Sequence, residues 1–326
     1  MQRFKDILCV LETMEPCKLV MERAVTLAEN NQTNLTVVDV VEHVTAGIGM
    51  PEGGPISADL QAALVSARQQ ELEKLVDPYR ARIAIQTRVL VGVPFLEIIR
   101  EVLRNGCGLV IKSPENRDWL DRLLGSEDMH LLRKCPCPVW LIKHGKPKPY
   151  RRILAAVDVG DAYPVEELAP RRALRQQILE MASSLALSEF AELHVVHAWN
   201  AIAESPLHNV FMHTPEEELA ACVEQTRQHH AASLDALMHE VTGTLGHDAL
   251  DYLKPRTHLV KGNARKEIPA LAKQIKADII VMGTVARTGV PGFIMGNTAE
   301  SILNQIDCSV LAVKPLGFVT PVTIEE

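Results

Sequence analysis

The stretch Gly296 to Lys314, GNTAESILNQIDCSVLAVK, decides the fold because it occurs twice. Its counterpart is Gly125 to Lys143, GSEDMHLLRKCPCPVWLIK, at a constant offset of 171 residues. Both begin on glycine, pass through a segment with helical spacing, and end in a short apolar run entered from a cysteine. Working back along the chain, KGNARKEIPALAKQIKADIIVM (Lys261 to Met282) matches VGVPFLEIIREVLRNGCGLVI (Val91 to Ile111) with one residue inserted. LHVVHAWN from Leu193 matches LTVVDVVE from Leu35, and RRILAAVD (Arg151 to Asp158) matches KDILCVLE (Lys5 to Glu12) at an offset of 146. Four matching segments in one order imply a duplicated domain. HGKPKPY (His144 to Tyr150), rich in Lys and Pro, is the natural junction. We therefore expect a first domain over 1–144, a second over 150–315, and a tail over 316–326.

Within the second copy, Ile153 to Val157, Leu193 to Ala198, Thr257 to Val260, Ile279 to Met282 and Val310 to Val313 are short and rich in Val, Ile and Leu. Strands buried on both faces read this way. Between them lie segments with helical spacing, such as Leu174, Ile178, Met181, Ala182 and Leu185. Strand alternating with helix predicts an α/β fold, a parallel sheet with helices on both faces. Ligands of such sheets bind beyond the carboxyl ends of the strands, where strand order reverses. That surface comprises Asp158 to Gly160, Trp199, Asn200, Gly262, Asn263, and the chain from Gly283 onward.

The chain has 326 residues, 47% hydrophobic and 23% charged, with a formal charge of −7. It carries no basic excess to neutralise a nucleic acid backbone. No apolar run approaches the roughly 20 residues needed to cross a bilayer, and MQRFKDILCVLE lacks the plan of a signal peptide. Seven cysteines without scaffold spacing agree with a reducing compartment, so the cytoplasm is the expected location, with neither membrane insertion nor nucleic acid binding.

The VD turn after the first strand, the glycine after the third and the glycine loop after the fourth resemble the universal stress protein family, over nearly the whole chain as two tandem copies. The resemblance implies Rossmann-like domains, each a five-stranded parallel sheet of order 3-2-1-4-5, packed as an intramolecular pseudo-dimer through their last strands. A further homodimer is left open. It also implies a stress-response protein that binds a small ligand and protects cells in starvation, oxidative or DNA-damaging stress. Nucleotide-binding members carry G-x2-G-x9-G-S/T, and the matching positions here are Gly283, Ala286, Gly296 and Asn297. The spacing is kept while two of the four residues have changed. By this resemblance ATP or ADP, with Mg2+ only alongside the nucleotide, would meet Asp158, Val159, Gly262, Gly283, Thr284, Ala286, Arg287, Gly296, Asn297 and Thr298.

The first copy departs further. Lys112 and Glu115 stand at the two early glycine positions, Gly125 and Ser126 keep the final pair, and Glu12 replaces Asp158. A glutamate there repels a triphosphate. Glu12, Gly92, Lys112, Ser113, Gly125 and Ser126 therefore mark a diverged site that takes another ligand or none.

Two readings of the second loop compete. In one, backbone amides and the helix beginning near Asn297 cradle a phosphate, balanced by Arg287. In the other, Asn297 is the N-cap of a helix with Glu300 completing a capping box, and Asp158 likewise caps a helix. Cys135 and Cys137 invite a metal or redox reading, but no second pair stands nearby, and Cys308 aligns with Cys137 as a small residue before a strand. His194 and His197 lie three apart on a strand and face opposite sides, while His229, His230 and His239 read as a solvated helix face. No catalytic residue and no metal site is assigned. The loops Ala46 to Ile56 and Ile202 to Thr214 read either as an adaptable cover over a pocket or as variable surface. Weak ATP hydrolysis in the second copy and an amphipathic-metabolite carrier or sensor in the first are the alternative functions.

Overall fold

Apolar runs too short for helices and uninterrupted by charge become central strands, and the computed structural model bears this out over residues 4–11, 18–44, 55–114, 126–143, 149–201, 216–245, 252–284 and 295–324, the residues described. In the first half, β1 (Ile7–Val10), β2 (Leu35–Val41), β3 (Ile85–Val91), β4 (Leu109–Lys112) and β5 (Val139–Leu141) alternate with α1 (Lys18–Asn31), α2 (Pro55–Val76), α3 (Pro94–Asn105) and α4 (Glu127–Lys134). The second half repeats the plan. It has β6 (Arg152–Ala156), β7 (Glu192–Trp199), β8 (Arg256–Lys261), β9 (Ile279–Gly283) and β10 (Ser309–Val313), with α5 (Val165–Glu189), α6 (Glu216–Leu245), α7 (Ala264–Gln274) and α8 (Asn297–Leu303).

The strands form one continuous sheet of order β3-β2-β1-β4-β5-β10-β9-β6-β7-β8. Each half has the expected 3-2-1-4-5 order, parallel throughout. The halves join where β10 pairs antiparallel with β5, Val310 opposite Leu141 and Ala312 opposite Val139. Two edges that would otherwise template aggregation are thereby paired. The outer edges are β3 and β8, whose exposed positions carry Gln86 and Arg256 rather than apolar side chains.

Alternation along each strand feeds two buried layers. Ile7, Cys9, Ile153 and Ala155 face a layer closed by α1, α2, α5 and α6. Leu8, Val10, Leu154 and Ile280 face one closed by α3, α4, α7 and α8. Both layers run across the join. On the first face Arg23 pairs with Glu189 and lies 3.6 Å from the centre of the Tyr150 ring, while Glu189 also accepts the Tyr150 amide at 2.9 Å. On the second, Arg133 of α4 pairs with Glu300 of α8 at 3.0 Å. The tail returns to the first half, where Val322 is buried in the second layer and the Thr323 carbonyl accepts from Arg100 at 3.3 Å.

Candidate functional site

In the second half the chain leaves β6 toward one side of the sheet and β9 toward the other, although the two strands are neighbours. Such a switch point opens a crevice at the strands' carboxyl ends. A cavity of about 520 Å³ occupies it, lined among others by Asp158, Gly283, Thr284, Gly296, Asn297 and Thr298 of the expected set. A Cβ at 283 would lie 2.8 Å from Leu174 Cδ2, so a larger residue there would have to displace that side chain.

Asp158 caps no helix, since α5 starts only at Val165. Its Oδ1 instead accepts the Gly160 amide at 3.0 Å in a tight Asx turn, while Oδ2 accepts from the Tyr163 hydroxyl and pairs with Arg171 at 3.5 Å. Arg171 stacks on the Tyr163 ring at 3.5 Å and hydrogen-bonds Glu167. Burial and the Asp158 carboxylate push the Tyr163 hydroxyl up to about 12, so it remains a donor. One helical turn on, Arg175 also lines the cavity. Its Nε is buried with no hydrogen-bond partner among the described residues, and burial, reinforced by Arg172, holds the guanidinium below the ordinary arginine range.

His197 closes the floor. Its Nδ1 lies 3.2 Å from the Val157 carbonyl and 3.4 Å from the Val159 amide, and the tautomer decides which of the two it engages. Its Nε2 is 3.0 Å from Nδ1 of His230. His230 is thus not part of a solvated helix face; it packs inward from α6 and stacks near His197 and Trp199. His194, on the opposite face of β7 as expected, pairs with His258 at 2.9 Å.

At the other end of the crevice the Thr284 carbonyl accepts the Gly296 amide at 3.0 Å, which ties together the two ends of the stretch 285–294. The Thr284 hydroxyl accepts from Lys314 at 2.7 Å. The capping-box reading is corrected here: Gly296 occupies the N-cap with no side-chain bond, Asn297 is already the first helical residue, and the Glu300 carboxylate goes to Arg133. Asn297 and Thr298 are exposed at the rim.

Not all expected residues converge. Val159 is buried beside His197 and Gly262 lies outside the cavity lining. Gly262 has φ +140° and a Cβ there would meet Glu267 Oε1 at 2.6 Å, which explains the glycine without a ligand. Gly92 repeats this in the first half, with φ +143° against Glu97. Ala286 and Arg287, with Glu12 and Gly125 of the first copy, lie outside the described residues, as do Glu115 and most of the two loops read as covers.

In the first half a buried ion pair occupies the corresponding positions. Lys112, at the position of Gly283, is almost wholly buried and pairs at 2.9 Å with Asp128, which stands where α8 has Ala299. Its Nζ also donates to the Ser113 carbonyl at 3.1 Å. Ser126 is an N-cap, accepting the Met129 amide at 3.2 Å.

Sequence reasoning missed Tyr163, Arg171, Arg175 and His197 as lining residues. A signal existed for two of them: Arg171, Leu174, Arg175 and Ile178 recur at i, i+3, i+4 and i+7, so they share one helix face.

The family model described as Universal stress protein family matches residues 3–143 and again 149–314. Universal stress protein E of Escherichia coli strain K12 is 31% identical over 234 residues, 72% of this chain and 69% of its own. The universal stress protein E homolog of Haemophilus influenzae is 29% identical over 323 residues, 96% of this chain and 98% of its own. Among solved structures the fold is similar to PA1789 of Pseudomonas aeruginosa PAO1, titled a functionally unknown protein, with a TM-score of 0.65 at 27% identity over 96% of this chain and 93% of that one. With the family's domain matched twice and the doubled sheet to accommodate it, this chain belongs to the universal stress protein family.

Proposed function

We propose that the second domain binds an adenine nucleotide, ATP or ADP, and that the protein acts in the cytoplasm as a nucleotide-responsive factor in the response to starvation, oxidative or DNA-damaging stress. The observation that carries this reading is the cavity of about 520 Å³, which combines apolar walls with Asp158 at one end and Gly283, Thr284 and Gly296 at the other. A flat base fits between Val157, Leu174 and Ile178, with Asp158 and His197 as polar neighbours. Phosphates lie toward Gly283, Gly296, Asn297 and Thr298. Mg2+ enters only with the nucleotide. The proposal assigns no general base, and turnover is not part of it.

The first domain serves as the structural partner in this reading. Lys112 and Asp128 stand as a buried ion pair where the second domain has Gly283 and Ala299.

Native mass spectra of the protein as purified, followed by titration of the stripped protein with ATP in the presence and absence of Mg2+, test the proposal. An adenine-nucleotide adduct, or saturable binding lost in Gly296→Arg, is expected. Absence of both refutes it.

A further inference from the structure

The loop from α4 to β5 carries two cysteines that the nucleotide reading leaves unused. Cys135 and Cys137 place their sulfurs 3.6 Å apart, in hydrogen-bonding contact. Cys135 is fully buried and Cys137 is 8% exposed. Among the described residues no three His, Cys, Asp or Glu side chains gather as a metal would require, so the pair has no further ligands there.

Continuing the antiparallel register beyond Ala312 opposite Val139 brings Lys314 opposite Cys137. Lys314 is itself buried, and its Nζ donates to the Leu132 and Arg133 carbonyls at the end of α4 and to the Thr284 hydroxyl. Burial brings this amine down to about 7, and both thiols lie within its Coulombic reach. Burial pushes the Cys135 thiol up. The hydrogen bond from Cys137, the Cys137 amide and Lys314 more than offset that and hold it below the ordinary thiol range. Cys137, as the donor to Cys135 and by burial, is pushed well above it. One sulfur is thus prepared as nucleophile and the other as the retained thiol, beside a buried amine.

We propose that Cys135 and Cys137 form a redox-active dithiol that hydrogen peroxide converts to an intramolecular disulfide. Cys135, as the thiolate, attacks the peroxide and breaks the O–O bond. The sulfur gains one hydroxyl, becoming a sulfenic acid, and the departing hydroxide takes up the proton that Cys135 released and leaves as water. The Cys137 thiol then attacks the sulfenic sulfur, and the second hydroxide leaves as water with the Cys137 proton. Two thiols are oxidised by two electrons and one peroxide is reduced to two waters.

Closure requires the sulfurs to move from 3.6 Å to about 2.0 Å, within reach of side-chain rotation and a small shift of the loop. The second domain cannot do the same, since Ile306 stands at the position of Cys135 beside Cys308.

The test uses the full chain and a peptide that trypsin provides. Cleavage after Lys134 and Lys143 releases CPCPVWLIK, which contains both cysteines and no other. Reduced protein is treated with hydrogen peroxide, its remaining thiols are alkylated in denaturant, and the digest is weighed. The expected product is this peptide unalkylated and about 2 Da lighter than its dithiol form, restored by dithiothreitol. In Cys137→Ser the expected product is a Cys135 sulfenic acid that dimedone traps. The proposal is overturned if the peptide stays doubly alkylated at peroxide doses that modify the exposed Cys222, or if it passes to sulfinic acid with no disulfide.

Discussion

Replacing Arg175 by methionine separates what the guanidinium does for a ligand from what it does for the fold. Methionine keeps a long apolar stem, so the packing of α5 beside Leu174 and Ile178 is retained. Without a ligand the wild-type Nε–H is buried with no partner among the described residues, a condition that costs about 1–3 kcal/mol. Its removal relieves that cost and the repulsion from Arg172, while losing attraction to Glu240 and Asp158. The free variant should therefore be as stable as the parent, or more stable by about 1 kcal/mol. With a nucleotide the balance reverses, because Arg175 stands with Asp158, Leu174 and Ile178 where the proposal seats the base and ribose, and a hydrogen bond from a charged donor there contributes about 1.5–3 kcal/mol, so that its loss weakens binding by about tenfold to a hundredfold. Titration calorimetry with ATP and with adenosine, alongside thermal denaturation of the stripped protein, reads both sides. ATP and adenosine binding should fall by the same factor, to within about twofold. Loss for ATP with adenosine unaffected, unchanged ATP affinity, or a free protein destabilised by more than about 2 kcal/mol would each refute the reasoning.

Other perturbations follow from the same geometry. Lys112→Met removes the cation paired with the buried Asp128 and should cost about 3–5 kcal/mol in urea denaturation, whereas Lys112→Met with Asp128→Leu should recover most of it; equal costs would mean that Asp128 is held by its other contacts. His194, His197, His230 and His258 are all held below the ordinary imidazole value of 6.5, each first by burial. The unfolded chain therefore binds more protons below that value, so their contribution to stability is full above about pH 6.5 and falls as the pH drops. Melts between about pH 7 and pH 5 should show a shallower fall in His230→Gln than in the parent, and parallel slopes would contradict the assignment. Gly283→Val drives a branched side chain into Leu174, where even a Cβ would be 2.8 Å away. It should cost about 1–3 kcal/mol and abolish ATP binding, with Leu174→Ala restoring the fold but not the ligand; restored binding would show that Gly283 matters only for packing.

The elements legible from sequence were those whose physics is local. A central strand must be apolar on both faces, so Ile279 to Met282 or Val310 to Val313 announce themselves, and duplication supplied each of them twice. The antiparallel join of β5 and β10 followed from the family resemblance, because nothing within either run distinguishes an edge strand that pairs from one that does not. What stayed hidden were charges that meet across the fold. α5 carries arginines at 171, 172 and 175, and only the packing of Leu174 and Ile178 against the sheet decides that 171 and 175 turn into the crevice while 172 reaches Glu240. His197 and His230 come from a strand and a helix 33 residues apart, and no periodicity links them. Lys112 is the instructive case. Taken alone, a lysine at a glycine position reads as a changed ligand site. Set against the second copy together with α4, two positions differ at once: glycine and alanine in one domain, lysine and aspartate in the other. One large charged residue in a buried crevice demands compensation, and a second change of opposite sign on the facing helix supplies it. The same backbone thus carries two small residues in one half and a buried ion pair in the other.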